Sequence, residues 1–464
     1  MSTSTPRLDA AYRPATPAAI RALQDTGVPL HLPATDGYTR LASTSNLTKA
    51  ISPAALVEAR DERDVSTTLR LAAAFGVKVA VQGTGHGATE AMTDAICVHT
   101  HALDEVTVDP SGWARVGAGV KWERLIEAAA PHGLAPLCGS SPDVGVVGYL
   151  TGGGLGPLAR SHGLSSDYVR AFDVVTGDGE VRRVSATQHA DLFWGLRGGK
   201  GTLGIVTAVE LTLPRLPEIY GGSLWFDEPD VPAVVRTWAQ WAKLLPTEGT
   251  TSLAVNRLPD RPFIPEPVRG KTTVCVRFVW TGDPAEGEEL IRALRAVARP
   301  LIDAVMRMPY AAIGAVHADP VDPMPLHEST MLLEDFGLDA ADRFLELVGP
   351  GVPSVQVMVE LRQLGGRVRA GDDCAFAHRE AGYSLFMAAI AMPETAALLE
   401  PDAERILGGL APWARAGSLP NFTGTSGAAW AERVFTPAVA RRLRELSTAY
   451  DPDAVLLSAR GVRS

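Results

Sequence analysis

Residues 144–163 read VGVVGYLTGGGLGPLARSHG, and the meaning of this stretch decides how the rest of the chain is read. A regular core helix loses roughly 1 kcal/mol for each glycine in place of alanine. A run containing Gly145, Gly148, Gly152, Gly153, Gly154, Gly156 and Gly163 therefore reads as backbone that comes close to a ligand. Successive exposed N–H groups in such a loop form a nest for an anion. Similar clusters lie on either side. Val81-Gln82-Gly83-Thr84-Gly85-His86-Gly87-Ala88 lies upstream, and DLFWGLRGGKGTLGIVT occupies 191–207 downstream, each set against a strand pattern. Three such loops in one chain fit a long dinucleotide threaded between two subdomains better than three unrelated turns.

The first cluster also satisfies G-x-G-x-x-A at Gly83, Gly85 and Ala88, with Asp104 at a distance suited to a ribose contact. Three features count against that dinucleotide-fold reading. A β-α-β pattern already precedes the loop, Cys97 and His99 follow too soon for a good helix, and His86 sits inside the loop. A NAD-dependent dehydrogenase using Gly83–Ala88 is the lesser alternative.

Working outward, 464 residues predict two or three domains at about 150 residues each. The hydrophobic fraction of 46% and charged fraction of 21% are those of an ordinary globular protein. A net charge of −10 without any long basic run excludes a nucleic-acid partner. The longest apolar run, Tyr383 to Met392, is short of the ~18 residues of a membrane span, so no membrane partner is expected. The amino-terminal MSTSTPRLDAAYRPATPAAI lacks an apolar segment behind a basic start, which predicts a cytoplasmic protein. Cys97, Cys138, Cys275 and Cys374 form no CxxC pair and have no nearby histidine at metal spacing, so neither a disulfide framework nor a metal site is indicated.

The periodicities predict an α+β fold. Ala55–Ala59, a helix over 65–75 and a strand over 78–82 make a β-α-β start; strands follow at 96–98, 106–108 and 114–116, then a helix from Trp122 to Ala130. Strands over 169–176 and 205–213 close the first unit at Pro214. Beyond it, strands such as 272–280 and 354–361 alternate with helices such as 286–297, and an amphipathic helix over 436–446 precedes Tyr450-Asp451-Pro452-Asp453. The expected domains are 1–214, 215–415 built on an antiparallel sheet, and a segment 416–464 that returns to the first.

Together, GTGHG at 83–87, SPDVGVVGYLTGGGLGPLARSHGLSSDYV at 141–169, DLFWGLRGGKGTLGIVT at 191–207 and the closing YDPD resemble the berberine bridge enzyme-like branch of the vanillyl-alcohol oxidase flavoproteins. The resemblance implies FAD extended between two α+β subdomains and bonded covalently to the histidine matching His86. It places Gly83, Thr84, Gly85, Gly87, Ser141, Val144, Gly145, Gly148, Gly152, Gly153, Gly154, Gly156, Gly163, Leu164, Val206 and Asn421 in the cofactor site. Many relatives make a second, cysteinyl bond three residues before the valine matching Val144. Here that position is Ser141, with Cys138 six back, so the second bond is not expected. Val144 itself matches a gatekeeper position where a small valine is associated with access of dioxygen.

For proton removal, Val357-Met358-Val359-Glu360-Leu361-Arg362-Gln363-Leu364-Gly365-Gly366 matches the family's E-L-R-x-L-G-G strand. Glu360 and Arg362 share one strand face, which makes Glu360 the expected base and Arg362 its partner or a substrate ligand. Tyr383 is a phenol base or a wall of the pocket. His378, Arg379 and Trp194 read as packing residues. The expected activity is an oxidase passing a hydride equivalent from a small organic substrate, a secondary-metabolite intermediate, to FAD, with dioxygen reoxidising it to hydrogen peroxide; oligosaccharide oxidation is the alternative within the family. Oligomeric state leaves no mark in the sequence.

Overall fold

The computed structural model describes residues 15–423 and 427–463, which form three sheets. Most of the amino-terminal segment read above lies outside the described residues. The first sheet has four strands in the order Leu30–His31, Ala55–Glu58, Ile96–His99, Val79–Gln82. Its helix Glu62–Phe75 starts where the Asp61 carboxylate accepts from the N–H groups of Arg63 and Asp64, and stops at Gly76 in the left-handed region, φ 65°. The expected β-α-β unit is present with one difference: Ile96–His99 inserts between Ala55–Glu58 and Val79–Gln82, parallel to both. The edge strand Val79–Gln82 thus opens directly into the loop 83–88, at the carboxyl end where α/β sheets hold ligands.

The second sheet is antiparallel, with Trp113–Gly117, Gly204–Thr212 and Val169–Thr176 at its centre. It buries Phe172, Val174 and Val209 against Trp122 and Leu125 of the helix Trp122–Ala129. The carboxy-terminal residues join both cores. Leu443 and Val462 pack with the second sheet, while Val455 and Leu456 pack with the first. Fully buried Asp451 fixes that return, its Oδ1 accepting from Val455 N–H at 2.7 Å and its Oδ2 from Leu456 N–H at 3.1 Å.

The third sheet has nine strands, all antiparallel, from Glu218–Asp227 to Ala414–Arg415. Helices Val231–Leu244, Pro284–Arg295, Leu338–Val348 and Ala396–Leu410 cover one face over Trp238, Phe336, Phe344 and Leu361. The two-residue period of a strand sends Ser252, Arg277, Glu360 and Arg362 to the opposite face. That face meets the glycine-rich segment. Arg160, in the turn of helix Ala159–His162, donates to the carbonyls of Gly249 (2.7 Å), Leu364 (2.7 Å) and Leu245 (2.9 Å) and ties the units together. The apolar run at Tyr383 is the strand Tyr383–Ile390 inside this sheet, and no described helix is long and apolar enough to cross a membrane.

Candidate functional site

The glycine loops converge as their composition predicts. Thr84 links two of them: its Oγ1 accepts from Gly145 N–H at 3.3 Å and lies 3.1 Å from His86 Nδ1. The N–H groups of Thr84, Gly85, His86 and Gly87 have no acceptor among the described residues, and a Cβ on Gly87 or Gly148 would meet nothing within 4 Å. Free amides beside open space suit the phosphates of a dinucleotide. No helix follows this loop; the 3₁₀ turn Glu90–Met92 leads straight into Ile96–His99. The helix N-terminus that a NAD-type Gly83–Ala88 loop requires is therefore missing, and that reading falls.

His86 is exposed, yet desolvation by the surrounding loops lowers its imidazole pKa; nearby Asp143 opposes that shift and Lys121 adds to it. Asp143 and Lys121 pair with each other beside it. The ring is thus neutral near pH 7, with a nitrogen lone pair available for a bond to carbon.

Gly152 leaves no room for a side chain, because a Cβ there would run into Asn421 Oδ1. Asn421 donates from Nδ2 to Tyr149 O at 2.9 Å and accepts from Lys200 Nζ, which also reaches Gly148 O at 3.2 Å. Burial pushes the Lys200 ammonium down to about 8. Lys200 belongs to this site although sequence reasoning passed over it; a lysine inside the run Gly198-Gly199-Lys200-Gly201 was the available signal.

Other residues expected at the cofactor have side-chain positions taken up by packing. Leu164 is fully buried with Leu364 and Phe376, and Val206 lies in the core of the second sheet. Gly153, Gly154, Gly156 and Gly163 are backed against Phe376, Tyr149, the Cys138 carbonyl and Asp167 respectively, so they are small because protein crowds them. Ser141 and Val144 are half-buried in the loop 138–145, joined by Val144 N–H donating to Ser141 O at 3.4 Å. Cys138 packs in the core of the second sheet's unit. Its Sγ lies 3.9 Å from Tyr310 Oη, it is 3% exposed, and burial pushes the thiol up to about 12. Such a buried thiol has little thiolate character.

On the sheet face, Glu360 is fully buried and saturated with donors. Oε1 accepts from Arg277 Nη1 and Ser252 Oγ, both at 2.8 Å, and Oε2 accepts from Arg362 Nε at 2.7 Å. Burial alone would raise its pKa, but the guanidiniums of Arg362 and Arg277 prevail and hold it well below the ordinary value. A carboxylate so placed takes up no proton near neutrality, which corrects the expectation that Glu360 is the base. Arg362 extends from it toward the loops, Nη2 lying 3.4 Å from Ser140 Oγ and the guanidinium 5.0 Å from the Phe422 ring centroid. Tyr383 is corrected too. It projects to the helix-covered face, 6.0 Å from the rings of both Trp238 and Phe336, and burial pushes its phenol up to about 12. It is neither base nor pocket wall.

Two residues missed in the sequence complete this cluster. Arg277, 4% exposed, had a signal in the charge at the centre of the apolar strand TTVCVRFVW. His317, 8% exposed, had none; it follows the 3₁₀ turn Tyr310–Val316 and arrives beside Glu360 only through folding, Nε2 lying 3.6 Å from Oε1.

Comparison with known proteins agrees with this geometry. Residues 53–185 match the family model described as an FAD binding domain. An FAD-dependent monooxygenase of Fusarium proliferatum is 35% identical over 211 residues, 44% of this chain and 41% of its own length. The (R)-6-hydroxynicotine oxidase of Paenarthrobacter nicotinovorans is 29% identical over 278 residues, 58% of each chain. The match thus spans about half the length of these curated relatives. Among solved structures, the glucooligosaccharide oxidase of Acremonium strictum, which carries 6-S-cysteinyl, 8α-N1-histidyl FAD, superposes with a TM-score of 0.81 at 20% identity, covering 96% of this chain and 99% of that one. The chain thus carries an FAD binding domain at residues 53–185 and shares its fold, over nearly its whole length, with solved berberine bridge enzyme-like and oligosaccharide oxidase structures.

Proposed function

We propose that the protein is an oxidase: it holds FAD through a single covalent bond to His86, oxidises a small organic molecule of secondary metabolism and returns the electrons to dioxygen. The observation that carries this reading is the loop 84–87, where four amides have no acceptor among the described residues and Gly87 borders open space, beside a neutral imidazole. Bound there, the flavin supplies the two-electron acceptor and this chain supplies everything around it. The amides of 84–87 take the diphosphate. Lys200 and Asn421 close the opposite wall and hold each other in place. Buried Cys138 supports one link where the Acremonium enzyme has two. The polar sheet face carrying Arg277, Glu360 and Arg362 lies opposite the loops and forms the substrate side, in keeping with a pocket between domains.

The oxidase assignment is tested without knowing the substrate. The flavin of the purified protein is photoreduced anaerobically and mixed with oxygenated buffer. Full reoxidation within seconds, with one hydrogen peroxide per flavin, is expected; a flavin that stays reduced for minutes overturns the oxidase reading in favour of a dehydrogenase.

A further inference from the structure

Between the sheet face and the segment Leu155–Ala159 lies a narrow cavity lined by Gly156, Ser252, Arg277, His317 and Arg362. Two buried polar atoms of its lining residues have no partner among the described residues, Nε of Arg277 and Nδ1 of His317, while His317 Nε2 lies 3.6 Å from Glu360 Oε1. An unpaired buried polar atom costs about 1–3 kcal/mol, so two at one cavity mark a place where a ligand completes the bonding. Arg277 Nε can only donate, whereas the neutral His317 ring has one donor and one acceptor.

We infer that this cavity takes the hydroxyl end of the substrate and that His317, oriented by Glu360, accepts the hydroxyl proton. This rests on the oxidase reading above. Nε2 is the ring nitrogen that faces the Glu360 carboxylate, so the tautomer with hydrogen on Nε2 is favoured and Nδ1 is left with its lone pair. Glu360 cannot compete for the proton because Arg277, Ser252 and Arg362 already occupy its oxygens. Burial keeps the His317 ring neutral; contact with Glu360 opposes that, and Arg277 and Arg362 reinforce it. Cys275 on the same strand is an un-ionised thiol pushed up to about 11, and the remaining charge nearby, Asp319, acts through Arg277.

The proton balance is simple. The substrate O–H bond breaks, its proton forms the Nδ1–H bond, and the freed pair becomes the second bond of C=O as the C–H pair departs to the two-electron acceptor. The imidazolium so formed faces Glu360, and the developing oxyanion faces Arg277 Nε. The 3.6 Å separation of His317 from Glu360 is longer than a hydrogen bond and shortens once the ring is charged.

The probe is 4-nitrophenol, whose ionised form absorbs near the flavin's blue edge and is separated from it by difference spectroscopy. It is titrated into the yellow holoprotein at a pH where the free probe is protonated. The inference predicts a phenolate band in wild type and its loss in His317→Gln and His317→Asn, with flavin content and near-ultraviolet circular dichroism unchanged. Absence of binding, binding as the neutral phenol, or a band that survives both substitutions overturns it. As a measurement on wild type alone, diethyl pyrocarbonate modification followed by peptide mapping should label His317 and the probe should protect it; labelling unaffected by bound probe, or no labelling, overturns it as well. A colourless protein would instead sink the flavin reading, and the phenolate band would still report on His317.

Discussion

Replacing Glu360 with glutamine separates a hub of buried charge from a catalytic base. In the structure its carboxylate is fully buried and is the counter-charge for Arg277, 4% exposed, and for Arg362. Removing one member of a buried ion pair costs about 3–5 kcal/mol, because the other charges stay behind unpaired. Glutamine keeps the shape and one acceptor oxygen, but it turns an amide NH₂ toward a guanidinium, so the lower end, about 3 kcal/mol, is expected. At roughly 2–4 °C per kcal/mol for a unit of 150–250 residues, the melting temperature of the substrate-side domain should fall by about 6–12 °C. The assay is thermal and urea unfolding followed by near-ultraviolet circular dichroism at matched flavin content. The double variant Glu360→Gln/Arg277→Met should be more stable than the sum of the single losses, since the orphaned charge goes with its partner. A Glu360→Gln protein within about 0.5 kcal/mol of wild type, the range of an ordinary surface change, would refute the hub and return Glu360 to candidacy as the base.

Acid should weaken the fold through the same cluster. Glu360 has a folded pKa well below its ordinary 4.5, so its stabilisation is whole above that value and is lost as pH falls through the folded pKa. His317 is lowered from 6.5, so the unfolded chain binds its proton first and stability declines as pH drops below that point. Stability measured by urea unfolding should therefore fall steadily from pH 7 to pH 4, and the Glu360→Gln curve should be flatter below 4.5 than wild type. Cys138→Ala should leave the flavin attached and its visible spectrum unchanged, as checked by the mass of the flavinylated peptide; a lost mass of bonded cofactor would show that the buried thiol does react. Asp451→Ala strands the amides of Val455 and Leu456 and should cost about 1–3 kcal/mol for each, read as a lowered urea midpoint.

Much of what converges around Thr84 and Asn421 was legible in the sequence because its determinants are local. Glycine runs, a histidine inside one of them and the Asn421 that lies against Gly152 carry their reasons in one or two short segments. The strand Thr272–Trp280 stands where its apolar run predicted it, since strand period and residue burial are both short-range properties. What escaped was long-range. Ile96–His99 inserting between two earlier strands depends on which edges pair, and no periodicity encodes that. Glu360 read as a base because the sequence shows a glutamate two residues from one arginine; the second arginine, which turns it into a saturated ion, sits on another strand at Arg277. Tyr383 failed for a parity reason: whether an aromatic at a strand end faces the cleft or the helices is fixed by register with Gln363 and Leu333. His317 could not be singled out, since its worth lies wholly in what folding brings beside it.

The covalent attachment of a flavin at His86 is the centre of the account, and one experiment meets it directly. Wild-type and His86→Ala proteins are purified, their visible spectra recorded, and each is precipitated with acid. The account predicts a yellow pellet from wild type, and from His86→Ala either a colourless pellet with yellow supernatant or a protein that has lost its colour. Yellow released from both proteins would contradict the covalent link, and a wild type colourless from the start would contradict the flavin itself.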